Sequence, residues 1–314
     1  MPPRIANLTE IKQALETVDL VPLIEQAFAA YSGGESVVPP VGELILDRGE
    51  VHIKYGFIRQ QDYYVIKIAS GFYGNPALGL PTGNGVMLVF SQETGELVSV
   101  LFDEGWLTDV RTAVAGAVAA KHLAPQNVER IGIVGTGIQA RLQLQYLAPV
   151  TACREVLVWG RGQAQLDRYA ADMAPHGFDI QTTRDASEIL GTCNLVVTAT
   201  PATEPILHVA DLRPGTHITA MGSDMPDKQE LDAAILGRAD LVVADSIAQC
   251  HTRGEIHHAL EQGEIVSEGI AELGQIISGA SPGRTSDTQV SVADLTGVAV
   301  QDIAIATAVY KALS

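Results

Sequence analysis

One stretch of the sequence joins a short apolar strand pattern, a glycine-rich turn and the start of a helical pattern. It reads Arg130-Ile-Gly-Ile-Val-Gly135-Thr-Gly137-Ile-Gln-Ala140, which is a G-x-G-x-x-A motif. Gly135 permits the tight turn, Gly137 lets the backbone approach a pyrophosphate, and Ala140 lets the helix pack closely on the strand. Because a helix N-terminus favours phosphate groups, the motif predicts a dinucleotide site. A glycine-rich turn without a ligand is the alternative.

Strand-like and helical patterns alternate from Arg130 onward. Alternation of this kind implies parallel strands joined by right-handed crossovers. We therefore predict a Rossmann α/β domain, a doubly wound parallel sheet, over residues 119–296. After Gly263 the pattern weakens, and a loop rich in Ser and Gly is predicted from Ser278 to Asp287. The predicted strands are Ile131–Val134, Val156–Trp159, Phe178–Thr182, Leu195–Thr200, His217–Met221 and Leu241–Ala244.

The two ends of the chain have a different pattern. A helix is predicted over Leu20–Tyr31, where apolar residues recur at spacings of three and four before Gly33 ends the run. Further helices are predicted over Leu107–Leu123 and Val298–Leu313, and strands over Leu44–Leu46, Val51–Tyr55, Tyr63–Ile68, Val86–Phe90 and Leu97–Phe102. We predict that residues 1–118 and 297–314 form a second, α+β domain with a mostly antiparallel sheet.

Composition excludes several classes of protein. The 314 residues carry a net charge of -17, and so acidic a surface repels phosphate backbones and anionic membranes, so neither is expected as a partner. The sequence has no apolar run of the roughly 18–20 residues that a bilayer span needs and no apolar signal core at its start, which predicts a cytoplasmic protein. The three cysteines are far apart, and the spacing of His257 and His258 is not that of a helical zinc pair, so no metal site is expected.

The residues that follow the second Rossmann strand bear on the choice of dinucleotide. An NAD-binding protein usually has Asp or Glu there for the ribose hydroxyls, whereas this chain has Gly160 and Arg161. Since arginine pairs with a 2′-phosphate, NADP(H) is favoured and NAD(H) stays possible; a solvated loop arginine is the alternative. The other predicted cofactor contacts are Thr136, Ile138 and Gln139 in the glycine turn, Thr198, Ala199 and Thr200 after the fourth strand, and Met221 and Gly222 after the fifth.

Several further stretches, together with the glycine turn, carry a resemblance that spans nearly the whole chain. They are Gly79-Leu-Pro-Thr82, Leu107-Thr-Asp-Val-Arg111-Thr112-Ala113, Ala202-Thr-Glu-Pro205-Ile206, Gly222-Ser-Asp224-Met-Pro226-Asp-Lys228-Gln-Glu230-Leu-Asp232 and Arg253-Gly-Glu255-Ile256. In these motifs and their order the chain resembles the ornithine cyclodeaminase/mu-crystallin family. The resemblance implies a homodimer with a Rossmann domain between the two halves of a substrate-binding and dimerisation domain.

The resemblance also implies roles for three charged residues. Arg111 matches the arginine that grips the substrate carboxylate, and Lys67 matches a lysine that helps to hold the same group or polarises the carbonyl or imine. Asp224 matches an aspartate that handles protons on the amine. The structural alternatives are a helix salt bridge for Arg111, a strand-edge charge for Lys67 and a helix N-cap for Asp224.

The chain departs from the family pattern at three places. Gly42 stands where members often carry an arginine in a Pro-x-Arg motif, so one carboxylate anchor is missing. Lys54 stands where cyclodeaminases have a glutamate, and a cation there would repel a diamino substrate. Val86 replaces a threonine of some cyclodeaminases, with Asn84 nearby. Lys54 and Asn84 are therefore predicted to contact substrate, while the differences weaken ornithine as that substrate.

Together these features predict an NAD(P)H-dependent oxidoreductase that acts on the C–N bond of an α-amino or α-imino acid, such as a ketimine or pyrroline-2-carboxylate reductase or an amino-acid dehydrogenase. One alternative is an ornithine cyclodeaminase that makes L-proline and ammonia with NAD. Another is a non-catalytic NADPH-binding protein like some mu-crystallins. The substrate is expected to be a small amino acid or cyclic imino acid.

Overall fold

The computed structural model describes residues 2–314. Up to residue 123 the elements are β1 (Arg4–Ala6), α1 (Leu8–Leu15), α2 (Leu20–Ser32), β2 (Ser36–Val37), β3 (Gly42–Leu46), β4 (Gly49–Ile58), β5 (Tyr63–Gly71), β6 (Gly83–Ser91), β7 (Leu97–Leu101) and α3 (Trp106–Leu123). From residue 131 they are β8 (Ile131–Val134), α4 (Ile138–Leu147), β9 (Glu155–Trp159), α5 (Gln163–Met173), β10 (Asp179–Thr183), α6 (Ser187–Thr192), β11 (Leu195–Thr198), β12 (Thr203–Leu207), β13 (His217–Ala220), β14 (Gln229–Leu231), α7 (Ala233–Arg238), β15 (Leu241–Ala244), α8 (Ile247–Cys250), α9 (Gly254–Glu261), β16 (Ala271–Glu272), α10 (Leu273–Ile277), β17 (Ser291–Asp294) and α11 (Ala299–Leu313).

The chain divides into two compact units. The first unit runs up to Thr112 and includes Val298–Ser314, and the second is Ala113–Gly297. The first boundary between the units, at Thr112 and Ala113, falls inside α3 and so lies earlier than the predicted boundary at residue 118. Within residues 2–314, no helix is long and apolar enough to cross a bilayer.

The first unit is built on a seven-stranded sheet in the order β1-β7-β6-β5-β4-β2, with β3 also paired to β4. All of its pairs are antiparallel except that of β1 with β7, so the predicted mostly antiparallel sheet is confirmed. Helix α11 packs on β4 and β5, and α1 and α2 pack on α11. The helix predicted over Leu20–Tyr31 is confirmed as α2, and two elements that were not predicted, β1 and α1, precede it. Asn7 starts α1 with a capping box that includes Glu10.

The second unit contains an eight-stranded parallel sheet in the order β10-β9-β8-β11-β13-β17-β15-β16. The chain moves outward from β8 through β9 to β10 and then returns to the other side of β8 at β11. Such a reversal leaves a crevice outside the carboxyl ends of the strands, where ligands of doubly wound sheets bind. The predicted Rossmann architecture is therefore confirmed.

Some of its strands escaped the sequence pattern. β17 is fully buried between β13 and β15, yet its four residues begin with Ser291 and end with Asp294. A polar residue at each end hides so short a strand from a hydrophobicity pattern. β12 and β14 form a separate two-stranded sheet that was not predicted either.

Candidate active site

The glycine turn of the second unit has the shape that a pyrophosphate needs. Gly135 has φ +120°, and a Cβ there would lie 2.7 Å from the carbonyl oxygen of Ala199, so the turn admits only glycine. A Cβ on Gly137 would meet no described atom within 4 Å, which leaves the approach to α4 open. Among residues 2–314 no side chain caps the first turn of α4. Open space beside uncapped helix N–H groups suits a phosphate group, so the chain fits a dinucleotide at this turn.

The carboxyl end of β9 lies on one side of this turn. Gly160 follows the strand, and a Cβ there would come within 2.8 Å of the Thr136 side chain. Arg161 is exposed, and neither residue is acidic. The end of β9 therefore presents a cation where an NAD-type ribose site would have a carboxylate.

The carboxyl ends of β11 and β13 lie on the other side, and a buried glutamate that sequence reasoning missed joins them. The carboxylate of Glu230 accepts hydrogen bonds from the Thr198 hydroxyl at 2.6 Å, the Thr200 N–H at 2.6 Å and the Gly222 N–H at 2.8 Å. Burial raises the pKa of Glu230 to about 7. The available signal was the place of Glu230 in the stretch Gly222–Asp232 that carries the family resemblance, where it was given no role.

A second buried glutamate lies beside the first. Glu255 accepts hydrogen bonds from the Ser223 hydroxyl at 2.5 Å and from the N–H groups of Glu230 and Leu231 at 2.8 and 3.1 Å. Burial, and after it the charge of Glu230, raises the pKa of Glu255 to about 8. The buried carboxyl groups of Glu230 and Glu255 thus hold the loop that precedes Asp224 in place.

Asp224 lies in the loop after β13, with its side chain 39% exposed. Its Oδ1 accepts a hydrogen bond from Lys228 Nζ at 2.8 Å, and its backbone carbonyl accepts one from the guanidinium of Arg253 at 3.3 Å. The chain continues from this loop into strand β14 at Gln229, so the helix N-cap alternative for Asp224 is wrong. Asp224 therefore lies beside two cationic side chains, beyond the carboxyl end of β13.

The candidate substrate residues Lys67 and Arg111 belong to the first unit and share one buried carboxylate. Asp302 of α11 lies 3.0 Å from Arg111 Nε and 3.5 Å from Lys67 Nζ, and the three residues are 1%, 4% and 2% exposed. Arg111 also donates to Gln301 Oε1 at 3.0 Å. β5 lies between β4 and β6, so the strand-edge alternative for Lys67 is wrong. The ion pair expected under the structural alternative for Arg111 is present.

Sequence reasoning missed Asp302 and Gln301. The available signal was the adjacent polar pair Gln301 and Asp302 within the apolar-rich first turns of the final helix, where buried polar groups need partners.

The predicted substrate residues Lys54 and Asn84 occupy different places on the sheet. Lys54 is buried and lies directly opposite Lys67 across the β4–β5 pair. Two like charges in that position are destabilising unless an anion is near. Asn84 is exposed, its side-chain oxygen accepts from the Gly85 N–H at 2.7 Å, and it pairs with Ser70, three residues along β5 from Lys67. Since side chains alternate between faces, Asn84 lies on the opposite face of the sheet from Lys67.

The pKa values reveal the electrostatic character of this cluster. Burial lowers the pKa of Lys67 to about 8, against the raising effect of Asp302. Burial favours the neutral form of Asp302, but the charges of Arg111, Lys67 and Lys54 outweigh it and hold the pKa of Asp302 below its ordinary value. Three buried cations around one carboxylate create a setting that favours a further anion, such as a substrate carboxylate.

The histidines near Glu255 make hydrogen bonds to the backbone. His257 Nδ1 lies 3.0 Å from the carbonyl oxygen of His251, and His258 Nε2 lies 2.9 Å from that of Lys228. Within residues 2–314, no group of three or more His, Cys, Asp or Glu side chains is arranged to hold a metal ion.

Comparison with known proteins identifies the family. Residues 2–314 match the sequence model of the Ornithine cyclodeaminase/mu-crystallin family. An uncharacterized cyclodeaminase of Sinorhizobium fredii is 44% identical over 98% of this chain and 95% of its own. The structure of an archaeal alanine dehydrogenase dimer with bound NAD is 32% identical, with a TM-score of 0.92 over 99% of this chain and 96% of that one. The structure of the Thermococcus litoralis Delta(1)-pyrroline-2-carboxylate reductase with NADH and L-proline is 25% identical, with a TM-score of 0.92 over 98% and 97%. The chain belongs to the ornithine cyclodeaminase/mu-crystallin family.

Proposed function

We propose that this protein is an α-imino acid reductase that uses NAD(P)H and that also catalyses the reverse reaction, the dehydrogenation of an amino acid. As a member of its family it is an NAD(P)-dependent oxidoreductase or cyclodeaminase acting at a C–N bond. The observation that carries the finer assignment is the buried cluster of Lys67, Arg111 and Asp302. A planar guanidinium beside an ammonium is suited to bind the carboxylate of an α-imino acid.

Each residue has a task in this reaction. Arg111 and Lys67 bind the carboxylate, and Asp302 orients both cations through the contacts at 3.0 and 3.5 Å. Lys67 is mostly charged below its pKa of about 8 and so holds the carboxylate at neutral pH. Asp224 accepts and returns the proton of the substrate nitrogen. The nicotinamide, when bound, supplies the hydride. Fixed charges that need no reorganisation provide much of the acceleration.

Redox-neutral cyclodeamination is the second candidate, and the Sinorhizobium fredii relative carries that name. The buried ammonium of Lys54 disfavours it, because the second amino group of a diamino acid would be repelled there.

An assay that separates the two follows NADPH and NADH oxidation with cyclic ketimines and with keto-acid plus amine mixtures. Ornithine with catalytic NAD is run in parallel for proline and ammonia. Cofactor oxidation with an imine supports the reductase, proline and ammonia support the cyclodeaminase, and bound cofactor without turnover in either reaction supports a non-catalytic NADPH-binding protein.

For the cofactor, we propose a preference for NADPH over NADH. Its support is the exposed Arg161 and the absence of an acidic residue at 160 and 161 after β9. The related structures described above contain NAD or NADH, so calorimetric titration of both reduced cofactors is the direct test. Equal affinities would remove Arg161 from the cofactor site.

We also propose that the protein is a homodimer. The sheet of the first unit has an apolar groove of about 160 Å³ lined by Val37, Pro39, Tyr55, Phe57, Tyr64 and Ile66. Leu44, Ile45 and Leu46 of β3 are 54%, 67% and 48% exposed. Exposed apolar side chains in this number favour association, and the related alanine dehydrogenase is a dimer. Sedimentation at micromolar concentration giving a monomer would contradict the proposal.

A further inference from the structure

Glu230 holds three donors that come from two different strand ends. Its Oε2 accepts from both Thr198 and Gly222, and its Oε1 accepts from the Thr200 N–H. A Cβ on Gly222 would lie 2.1 Å from the Thr200 carbonyl oxygen and 2.5 Å from Glu230 Oε2, so the two loops and the carboxylate are packed against one another. The ends of β11 and β13 are therefore set by one side chain.

Glutamine, although it has nearly the same shape, does not replace this carboxylate. If the amide oxygen takes the Oε2 position, the NH₂ group faces the Thr200 N–H. If it takes the Oε1 position, the NH₂ group faces the Gly222 N–H. In either orientation one partly buried N–H loses its acceptor, and an unmade hydrogen bond of this kind costs free energy. A carboxyl group avoids the conflict even when protonated, because its hydroxyl oxygen still accepts.

The place of these loops in the sheet assigns them to one half of the dinucleotide. The pyrophosphate lies at the turn after β8, and the adenosine ribose lies at the end of β9. β11 and β13 are on the opposite side of β8 from β9, so the remaining half of the cofactor lies over their ends. We infer that Glu230 is a positioning residue for the nicotinamide half of the cofactor, an inference that rests on the proposed function.

Glu255 extends the same device towards Asp224. It fixes the backbone N–H of Glu230 at 2.8 Å and the hydroxyl of Ser223 at 2.5 Å. The two residues before Asp224 are thus each bonded to a buried carboxyl group, Gly222 to Glu230 and Ser223 to Glu255. The loop that carries the proposed proton acceptor has its geometry set together with the nicotinamide site.

The test compares two ligands that differ in the nicotinamide. NADH and ADP-ribose, which has no nicotinamide, are titrated calorimetrically into the full-length protein, into Glu230→Gln and into Glu204→Gln. Glu204 is exposed on β12 and gives the same change of charge without the buried contacts. Glu230→Gln should weaken NADH binding about tenfold, because the loop end left with an unpaired N–H no longer holds its position under the nicotinamide half. ADP-ribose binding should stay within about twofold in all three proteins.

An equal loss of both ligands in Glu230→Gln would make the residue a general structural support and overturn the inference, as would unchanged binding of both. Failure of the parent protein to bind NADH would count against the proposed function instead. If Glu230→Gln does not fold by its melting curve, Thr198→Val decides the question, because it removes one of the three donors and leaves the carboxylate. Thr198→Val should weaken NADH selectively, and Thr198→Ser, which keeps the hydroxyl, should restore it.

Discussion

Replacing Asp302 by asparagine should destabilise the protein by about 3–5 kcal/mol, the range for removing one partner of a buried ion pair. The side chain is 1% exposed and contacts Arg111 at 3.0 Å and Lys67 at 3.5 Å. Asparagine keeps the volume, so the loss comes from buried cations left without their carboxylate. Against a typical unfolding free energy of about 5–15 kcal/mol, such a loss is large. Urea denaturation near pH 7 measures it as a fall in the midpoint with an unchanged slope.

A matched control is Asp62→Asn. Asp62 pairs with Lys311 at 3.4 Å, but both side chains are largely exposed, so its loss should cost about 0–1 kcal/mol. The pH dependence gives a second check. The folded pKa of Asp302 lies below its unfolded value, so its stabilisation is complete above about pH 4 and disappears as pH falls through the folded pKa. A loss in Asp302→Asn no greater than that in Asp62→Asn, or one that persists unchanged in acid, would refute the electrostatic reasoning.

Four further outcomes are expected for the reaction and the cofactor. Arg111→Ala should lower kcat/KM at least about tenfold, since each charge-assisted hydrogen bond is worth about 1.5–3 kcal/mol, while calorimetric NADPH affinity persists. In the parent, kcat/KM should fall as pH rises through about 8, where the Lys67 ammonium loses its charge; a profile flat to alkaline pH would contradict this. Arg161→Asp should narrow or reverse the difference between the NADPH and NADH dissociation constants. Asp224→Asn should still bind NADPH and substrate but turn over at least about a hundredfold more slowly, and near-normal turnover in a protein with an unchanged melting curve would exclude Asp224 from the mechanism.

The fold could be predicted from the sequence wherever local pattern and burial agree. Apolar runs such as Ile131–Val134 predict buried parallel strands, and the glycines of the following turn indicate at which end of those strands the ligand binds. The prediction failed for β17, whose end residues are polar because they make hydrogen bonds to other buried groups. Asp294 accepts from the Ile256 N–H at 2.8 Å, and the Ser291 hydroxyl lies 2.9 Å from His217 Nδ1. A strand that supplies buried hydrogen bonds lacks the pattern by which strands are recognised.

In the candidate site, too, some residues could be predicted from the sequence and others could not. Arg111 could be picked out because it stands in a motif of the family resemblance, and Lys67 because it matches a lysine of that family. Asp302, which orients both, lies 191 positions from Arg111 in the sequence. No spacing rule links residues so far apart, because their contact depends on how α11 returns to the sheet of β4 and β5. Glu230 was overlooked for a related reason, since its partners are mostly backbone groups that carry no side-chain signature.

The two units bury carboxyl groups in opposite ways, and the difference matches their proposed tasks. Asp302 is surrounded by cations that lower its pKa, so the first unit keeps an excess of buried positive charge that a substrate carboxylate can neutralise. Glu230 and Glu255 are held mainly by N–H and hydroxyl donors, and burial raises the pKa of both. A neighbouring cation would have lowered those values and added a charge near a nicotinamide that becomes cationic on oxidation. Glu230 and Glu255 hold their ends of these loops with dipoles and so avoid that repulsion, whereas Lys228 and Arg253 contact Asp224 farther along the loop after β13. The buried positive charge of the first unit, in contrast, suits its proposed task of binding a substrate carboxylate.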